Sequence, residues 1–327
     1  MRTKPCVMMA ALMFSVLGII SSLEAVELGI VTGSPKGTYY QIGMNLQELM
    51  RHQGIELKVH ESKGSVDNIY AVFKRSDVQL GIVQSDVLAF VAKVQTNPTL
   101  KRMAQKLKIV FPLYDEEIHL VGRKDIADFD ALQGKRVAVG EEGSGTYLTA
   151  KLLLEVSQIK PANTVPVGME EALQKIKEGS LDAMFCVAGY PVKFFAEDVT
   201  IADNLKLIPI ENKTVLQFYP QTTIPGGTYS WQPEAVRTVT VKAALITFDY
   251  RAALCEDIGR FARILGENLD WLMKNGHPKW RQVDLSSQIK GWEQSDCVRR
   301  APASLKPTEI QKPRERNPVL EAIKGLL

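Results

Sequence analysis

Four short segments carry hydroxyl side chains, three of them together with glycines, and each follows an apolar run of strand type. They span residues 33–40, 62–68, 84–86 and 140–146. Glycine lets the backbone turn tightly, and a Ser or Thr at the start of a helix can cap its N–H groups. Helix N-termini of this kind attract an anion. One such segment is typical of any α/β protein, but four of them predict a binding cleft.

The predicted ligand contacts are neutral donors, because no arginine occurs in these four segments. The predicted contact residues are Ser34, Thr38, Tyr39, Ser65, Asn68, Gln84, Ser85, Asp86, Gly143, Ser144, Gly145 and Thr146. Two lysines, Lys36 and Lys63, lie in the same segments. Either they supply positive charge for a second carboxylate of the ligand, or they are solvated loop residues. The segments predict a small anionic ligand held mainly by hydrogen bonds.

The elements that must position these segments alternate between strands and helices. A first series contains apolar strand patterns at residues 27–31, 57–59, 78–83, 109–113 and 118–121. A second series begins after residue 125, and a β-branched run at 236–248 predicts a strand that leads back. This alternation predicts a doubly wound α/β fold with a parallel-rich sheet. Two such series predict two lobes, with a cleft where strand ends and helix N-termini meet.

Composition and charge exclude several classes of protein. The chain has 327 residues, of which 45% are hydrophobic and 24% are charged, the balance of a soluble globular protein. Forty Lys and Arg residues against 37 Asp and Glu residues leave a net charge of +3, without a long basic run. DNA and RNA are therefore excluded as expected partners, because their binding normally needs a basic stripe.

Patterns for catalysis or metal binding are weak. The four histidines form no His-x-x-x-His pair, and the sequence contains no Cys-x-x-Cys or Gly-x-Ser-x-Gly motif. Segment 140–146 lacks the Gly-Lys-Ser/Thr ending of a nucleotide-binding loop. Glu116, Glu117 and His119 are predicted to form the polar edge of a strand rather than a metal site. The sequence thus predicts no catalytic residues, no metal and no cofactor.

The two ends of the chain predict export and a surface extension. Arg2 and Lys4 precede an uncharged apolar run at residues 7–20, and Ala25 is a suitable last residue before cleavage. The alternative is an uncleaved membrane anchor, although a spanning helix needs about 20 apolar residues. Residues 1–25 are thus expected to be a signal peptide. The proline-rich, charged segment 301–327 is expected to be a surface-bound or loose extension.

Three cysteines follow the predicted signal peptide. Cys186 lies in an apolar strand pattern, which is typical of a buried free thiol. Cys255 and Cys297 both lie late in the chain. In an oxidising compartment they either form a disulfide or remain two separate thiols.

Several of these segments together resemble one family. In chain order, residues 33–40, 64–68, 82–86, 117–121, 143–146 and 224–229 are similar to motifs of the TAXI family. These proteins are the periplasmic solute receptors of tripartite ATP-independent periplasmic (TRAP) transporters. The resemblance covers about residues 28–250. Lys36 and Lys63 depart from the family pattern, which has small residues there, often glycine, and this puts the exact ligand in doubt.

The resemblance implies a two-lobed, type II periplasmic-binding-protein fold with two crossover strands. Lobe 1 is expected to comprise residues 26–122 and 240–300, and lobe 2 residues 123–239. The implied ligands are small organic anions, such as glutamate-like amino acids or 2-oxo and other dicarboxylates, and the implied partner is a membrane permease. We expect a monomeric periplasmic receptor. The alternatives are a binding protein for another oxyanion or an aromatic acid that serves a sensor, or a periplasmic enzyme on the same scaffold.

Overall fold

The computed structural model describes residues 26–93 and 98–300. The predicted signal peptide and the predicted C-terminal extension lie outside the described residues. The first part of the chain forms β1 Val26–Val31, α1 Thr38–Arg51, β2 Ile55–His60, α2 Ser65–Lys74, β3 Leu80–Gln84, α3 Ser85–Lys93 and α4 Pro98–Lys106. In the sequence, Tyr39, Ile42, Leu46 and Leu49 recur at i, i+3, i+7 and i+10, which predicts one face of a helix, and α1 buries all four.

The middle of the chain contains the second series of alternating elements. These are β4 Leu107–Arg123, β5 Arg136–Ala138, α5 Gly145–Ser157, β6 Asn163–Val165, α6 Met169–Lys177, β7 Ala183–Ala188, α7 Lys193–Glu197, β8 Leu205–Leu207, β9 Gln221–Ile224 and β10 Val236–Phe248. The bounds of β10 match the predicted strand at 236–248. The two strands predicted at 109–113 and 118–121 are instead one continuous strand, β4. The polar residues between the two predicted strands remain part of β4 because they pair with β10.

The C-terminal part of the described chain is mostly helical. It contains α8 Ala253–Glu267, α9 Leu269–Asn275 and α10 Asp296–Arg299. Short 3₁₀ turns occur at Asp130–Leu132, Ile201–Asp203, Val215–Gln217 and Pro278–Gln282. A disulfide joins Cys255 on α8 to Cys297 on α10, whereas Cys186 is a buried free thiol.

Sheet topology shows how two lobes arise from one chain. The strand order is β2-β1-β3-β10-β4-β7-β5-β6, with β8 beside β4 and β9 beside β10. The outer strands pair in parallel at both ends of this order. The long strands β4 and β10 pair with each other in antiparallel fashion. On its other side, β10 pairs with β3 of the first series and β4 pairs with β7 of the second. The predicted two-lobed α/β fold with two crossover strands is therefore confirmed.

The hydrophobic core is divided in the same way. Two clusters draw their buried residues from 28–114 and 243–298 and cover the two faces of the β1–β3 sheet. The other two draw theirs from 118–241 and surround β5 and β7. The change from one pair of clusters to the other occurs within β4 and β10. The exact lobe boundaries at 122/123 and 239/240 remain a prediction.

Candidate ligand-binding site

A cavity of about 150 Å³ lies between the two series of elements, and all four predicted segments reach its wall. The N-termini of α1, α2, α5 and α6, together with the ends of β3 and β7, form most of this wall. Eight of the predicted contact residues line it: Ser34, Thr38, Tyr39, Ser65, Gln84, Ser144, Gly145 and Thr146. The convergence of these segments is what the carboxyl ends of strands in an open α/β sheet produce.

Three of the helices that begin at the cavity have glycine N-caps. Gly37 precedes α1, Gly64 precedes α2 and Gly168 precedes α6, and none of these helices has a side-chain cap. Thr38 and Ser65, whose side chains are of the type that caps helices, are instead the first helical residues. In α2 the Asp67 N–H donates to the carbonyl oxygen of Gly143. No side chain caps the other N–H groups at these helix ends, so they can donate hydrogen bonds to a ligand.

The hydroxyls at the wall are held by hydrogen bonds, one of them between the lobes and two within a lobe. Thr38 Oγ1 donates to the carbonyl oxygen of Gly189 at 2.6 Å. Thr146 Oγ1 accepts from the backbone N–H of Val187 at 3.0 Å, and Ser65 Oγ accepts from Gln84 N–H at 3.1 Å. These bonds fix the positions of the hydroxyls, which then present their remaining hydrogen-bonding capacity at the wall.

Asn68 was predicted to contact the ligand, but the structure places it behind the wall. Its amide nitrogen donates to the carbonyl oxygens of Thr32 at 2.6 Å and Ile82 at 2.7 Å. Its amide oxygen accepts from Ser62 Oγ at 2.6 Å. The side chain is fully buried because it lies on the face of α2 that packs on the sheet. Asn68 therefore holds the ends of β1 and β3 together instead of lining the cavity.

Ser85, Asp86 and Gly143 are also outside the cavity wall. Ser85 Oγ accepts from the backbone N–H of Lys242 on β10 at 3.1 Å. The carbonyl oxygen of Gly143 accepts from the N–H of Asp67 at 3.1 Å. Both contacts join segments that are distant in sequence, so these residues position the site from behind.

Asp86 is a buried carboxyl that links α3 to α5. It is 2% exposed, and its Oδ2 accepts from Thr149 Oγ1 at 2.6 Å and from the Tyr219 hydroxyl at 3.4 Å. Burial raises the pKa of Asp86 from 3.8 to about 6, although these hydrogen bonds oppose the rise. Asp86 thus supports the contact between the lobes.

The two lysines are paired with carboxylates of the opposite lobe. Lys36 Nζ lies 2.6 Å from Asp198 Oδ2, and Lys63 Nζ lies 2.8 Å from Glu141 Oε1. These hydrogen bonds to carboxylates raise the pKa of both lysines. Lys63 lines the cavity, whereas Lys36 does not. Each lysine bridges the cleft by an ion pair, and both sequence interpretations, charge for a second carboxylate or a solvated loop residue, stay predictions.

Sequence reasoning missed Glu116 as a wall residue of the cavity. It lies on the crossover strand β4, is 1% exposed and lines the cavity. The Tyr39 hydroxyl donates to Glu116 Oε2 at 2.7 Å. Burial raises the pKa of Glu116 well above its usual value, and the nearby Asp86 and Glu117 carboxyls act in the same direction. The available signal was a polar interruption in an otherwise apolar strand.

The neighbours of Glu116 on β4 have structural partners on the other side of the sheet. Glu117 Oε1 forms an ion pair with Lys279 Nζ at 2.6 Å, and both side chains are almost fully buried. His119 Nε2 lies 2.9 Å from the Tyr229 hydroxyl, and burial lowers the pKa of His119 to about 3. Among residues 26–93 and 98–300, no three His, Cys, Asp or Glu residues are grouped as metal ligands.

The lobe 2 side of the cavity adds a sulfur-rich wall. Met169, Met184 and Cys186 line it, and the Sγ atom of Cys186 lies 3.4 Å from the Sδ atom of Met169. Burial raises the pKa of the Cys186 thiol to about 12, so it stays protonated at neutral pH. The wall therefore offers apolar contact next to the N-terminus of α6.

Comparison with known proteins supports the assignment of the fold. A model of the NMT1-like family matches residues 30–293. MatC from Rhodopseudomonas palustris, solved with bound malate, is 16% identical, with a TM-score of 0.51 over 80% of this chain and 91% of that chain. A structure described as a periplasmic transporter is 12% identical, with a TM-score of 0.51 over 78% of this chain and 89% of that one. The fold is that of the two-lobed periplasmic binding proteins. Within the part of the chain that the structure describes, no helix has the length and apolar character needed to cross a membrane.

Proposed function

The chain belongs to the NMT1-like family, and from that premise we propose that it is an extracytoplasmic receptor for a small organic anion. The observation that carries this proposal is the convergence of α1, α2 and α6 on one cavity, each with a glycine N-cap and no side-chain cap. Their N–H groups and helix dipoles suit a carboxylate. The cavity volume of about 150 Å³ suits a small solute.

We propose further that the receptor serves a TRAP-type secondary transporter. The motif resemblance to the TAXI family supports this assignment, which also implies a periplasmic location, removal of residues 1–25 and a membrane permease as partner. The malate bound to MatC is an example of a carboxylate ligand in the same fold. The expected ligands remain glutamate-like amino acids and 2-oxo or other dicarboxylates. We expect the receptor to act as a monomer.

Closure of the two lobes is the step that would link binding to transport. The ion pairs Lys36–Asp198 and Lys63–Glu141 cross the cleft, and Asp67 N–H donates to the carbonyl oxygen of Gly143 beside them. A ligand that binds both lobes favours the closed arrangement, because it contacts both walls only in that state. A closed receptor then presents one defined surface to the permease.

The α6 N-terminus allows a direct test of the carboxylate site. Gly168 has extended backbone angles suited to an N-cap residue, and an added Cβ there would meet only Glu170 Oε2, at 3.9 Å. Gly168→Asp would cap α6 and place a negative charge at the wall, whereas Gly168→Ala adds only the methyl group. We expect Gly168→Asp to weaken organic-anion binding at least tenfold in calorimetric titration, without lowering the melting temperature.

The matched variant and a ligand panel decide the outcome. Gly168→Ala is expected to bind with nearly the wild-type affinity. Equal binding by Gly168→Asp and Gly168→Ala would show that α6 does not hold the anion. Binding of a neutral sugar or a cationic amino acid, in a panel where every organic anion fails, would refute the receptor function proposed here.

A further inference from the structure

Glu116 is a buried carboxyl that faces the cavity without a basic partner of its own. It is 1% exposed and lies in the cavity wall. The Tyr39 hydroxyl donates to one of its oxygens at 2.7 Å. In the described part of the chain, no ion pair joins Glu116 to a lysine, arginine or histidine. A buried carboxylate normally requires a cation or several donors to offset its desolvation.

The adjacent residue, Glu117, is a buried carboxyl whose charge is offset by an ion pair. Glu117 is also buried, and Lys279 Nζ lies 2.6 Å from its Oε1 atom. The backbone N–H of Tyr190 donates to its other oxygen at 3.3 Å. Alternation along β4 directs Glu116 to the opposite side of the strand, toward the cavity. Within residues 26–93 and 98–300, Glu117 thus has an ion-pair partner and Glu116 has none.

The charges around the cavity also favour a ligand that carries a cation. Glu116, Glu141 and Glu170 line the wall, and Lys63 is the basic residue in it. Lys63 is already paired with Glu141 across the cleft. A second carboxylate on the ligand would lie beside these acidic groups and oppose ionisation of Glu116, whereas an ammonium group would stabilise its ionised form.

We propose that Glu116 accepts the ammonium group of the ligand, and that the solute is an α-amino acid and not a 2-oxo acid or a simple dicarboxylate. The inference rests on the proposed function, in which helix N-termini hold the ligand carboxylate. Tyr39 is the second residue of α1, and its hydroxyl contacts Glu116. Glu116 is thus connected to the N-terminus of α1 through the Tyr39 side chain and a single hydrogen bond. An α-amino acid, whose two charged groups are attached to a single carbon, can reach both.

The first test compares matched ligands on the wild-type protein. Ligand-free receptor is titrated calorimetrically with a panel of L-amino acids and with the 2-oxo acids that carry the same side chains, such as L-glutamate and 2-oxoglutarate. We expect the tightest-binding amino acid to bind at least tenfold more tightly than its 2-oxo partner. A 2-oxo acid that binds as tightly as its amino acid, or more tightly, overturns the inference and leaves the proposed function standing.

The second test uses Glu116→Gln, which keeps an acceptor for the Tyr39 hydroxyl and removes the charge. We expect amino-acid affinity to fall about ten- to hundredfold, as for loss of one charge-assisted hydrogen bond. The affinity for the 2-oxo acid should stay the same or rise. Glu56→Gln, at an exposed carboxylate on β2 that is not among the residues lining the cavity, is the matched control and should change either affinity by less than threefold.

The remaining outcomes are also decisive. Equal losses for the amino acid and the 2-oxo acid in Glu116→Gln would make Glu116 a structural residue and overturn the inference. Failure of every carboxylate on the wild-type protein would refute the proposed function, and the inference would fall with it. The wild-type comparison does not depend on the folding of any variant.

Discussion

Replacing Gly145 by alanine would add one methyl group where the N-terminus of α5 meets the opposite lobe. An added Cβ would lie 2.0 Å from Gln84 Oε1 and 2.7 Å from Ser65 Oγ. Both side chains are buried, at 2% and 1% exposure, and a shift disturbs their hydrogen bonds, from Gln84 N–H to Ser65 Oγ at 3.1 Å and from Thr149 Oγ1 to Gln84 Oε1 at 3.4 Å. The backbones are also close, since a Cβ on Gly64 would lie 3.5 Å from Gly145 N. The methyl group therefore acts against closure of the lobes.

The size of the effect follows from the overlap. Cβ contacts under 3.0 Å are essentially never observed, so the Gln84 contact at 2.0 Å requires a shift of at least 1.0 Å, the difference between the two. Overpacking of this kind costs about 1–3 kcal/mol. Because about 1.4 kcal/mol corresponds to a factor of ten, ligand affinity should fall about five- to 150-fold. Gly145 is the first residue of α5, where alanine favours the helix, so lobe 2 itself should lose no stability.

The assay measures binding and stability separately. Calorimetric titration with the tightest-binding carboxylate gives the affinity, and thermal unfolding of the ligand-free protein gives the stability. Gly168→Ala is the matched control, because it adds the same methyl group at the same cavity with no contact closer than 3.9 Å. Wild-type affinity in Gly145→Ala, or an equal loss in Gly168→Ala, would refute the reasoning that links this contact to closure.

Three further predictions concern the disulfide, a buried carboxyl and the lysines. Cys255 and Cys297 are 42 residues apart, so their double replacement by serine should lower the free energy of unfolding by about 4 kcal/mol in urea titration; peptide mapping that finds both thiols free in the periplasmic protein would contradict this. The pKa of Asp86 is raised to about 6, so its contribution to folding is largest below pH 3.8 and is lost as pH rises through 6. Relative to wild type, Asp86→Asn should gain up to about 3 kcal/mol of stability between pH 4 and pH 7, measured by urea unfolding at both values; a constant difference would rule out this titration. Lys36→Ala and Lys63→Ala should each lower the affinity for monocarboxylates and for dicarboxylates by the same few-fold factor in calorimetry, because the lysines hold the lobes together. A loss of affinity confined to dicarboxylates would instead make the lysines partners of a second carboxylate.

Local sequence patterns were sufficient to predict the elements and the general place of the site. Apolar periodicity predicted the buried face of α1 and the bounds of β10. The four polar segments at strand ends, three of them with glycines, predicted which parts of the chain reach the cavity, and all four of them do. Both kinds of signal are short-range, because they depend on the period of a helix or strand and on the turn that follows it.

The roles of individual polar side chains depended on the tertiary structure. Asn68 lies in one of the predicted segments, but the packing of α2 on the sheet uses its whole amide group. Lys36 is 162 positions from Asp198, and no local pattern relates the two. Glu116 looked like part of a polar strand edge until β4 was seen to pass between the lobes.

The roles of these side chains could not be predicted locally because the two crossover strands decide how the lobes meet. The sequence by itself determined two α/β series, the segments at their strand ends and the cysteines available for pairing. Which surfaces of the two lobes face each other is decided by how β4 and β10 pair along their length. That pairing brings residues more than a hundred positions apart into hydrogen-bonding distance. The assembled interface decides whether a polar group is buried and which partners it has. These in turn decide its charge and whether it can contact a ligand, so neither property follows from the local sequence.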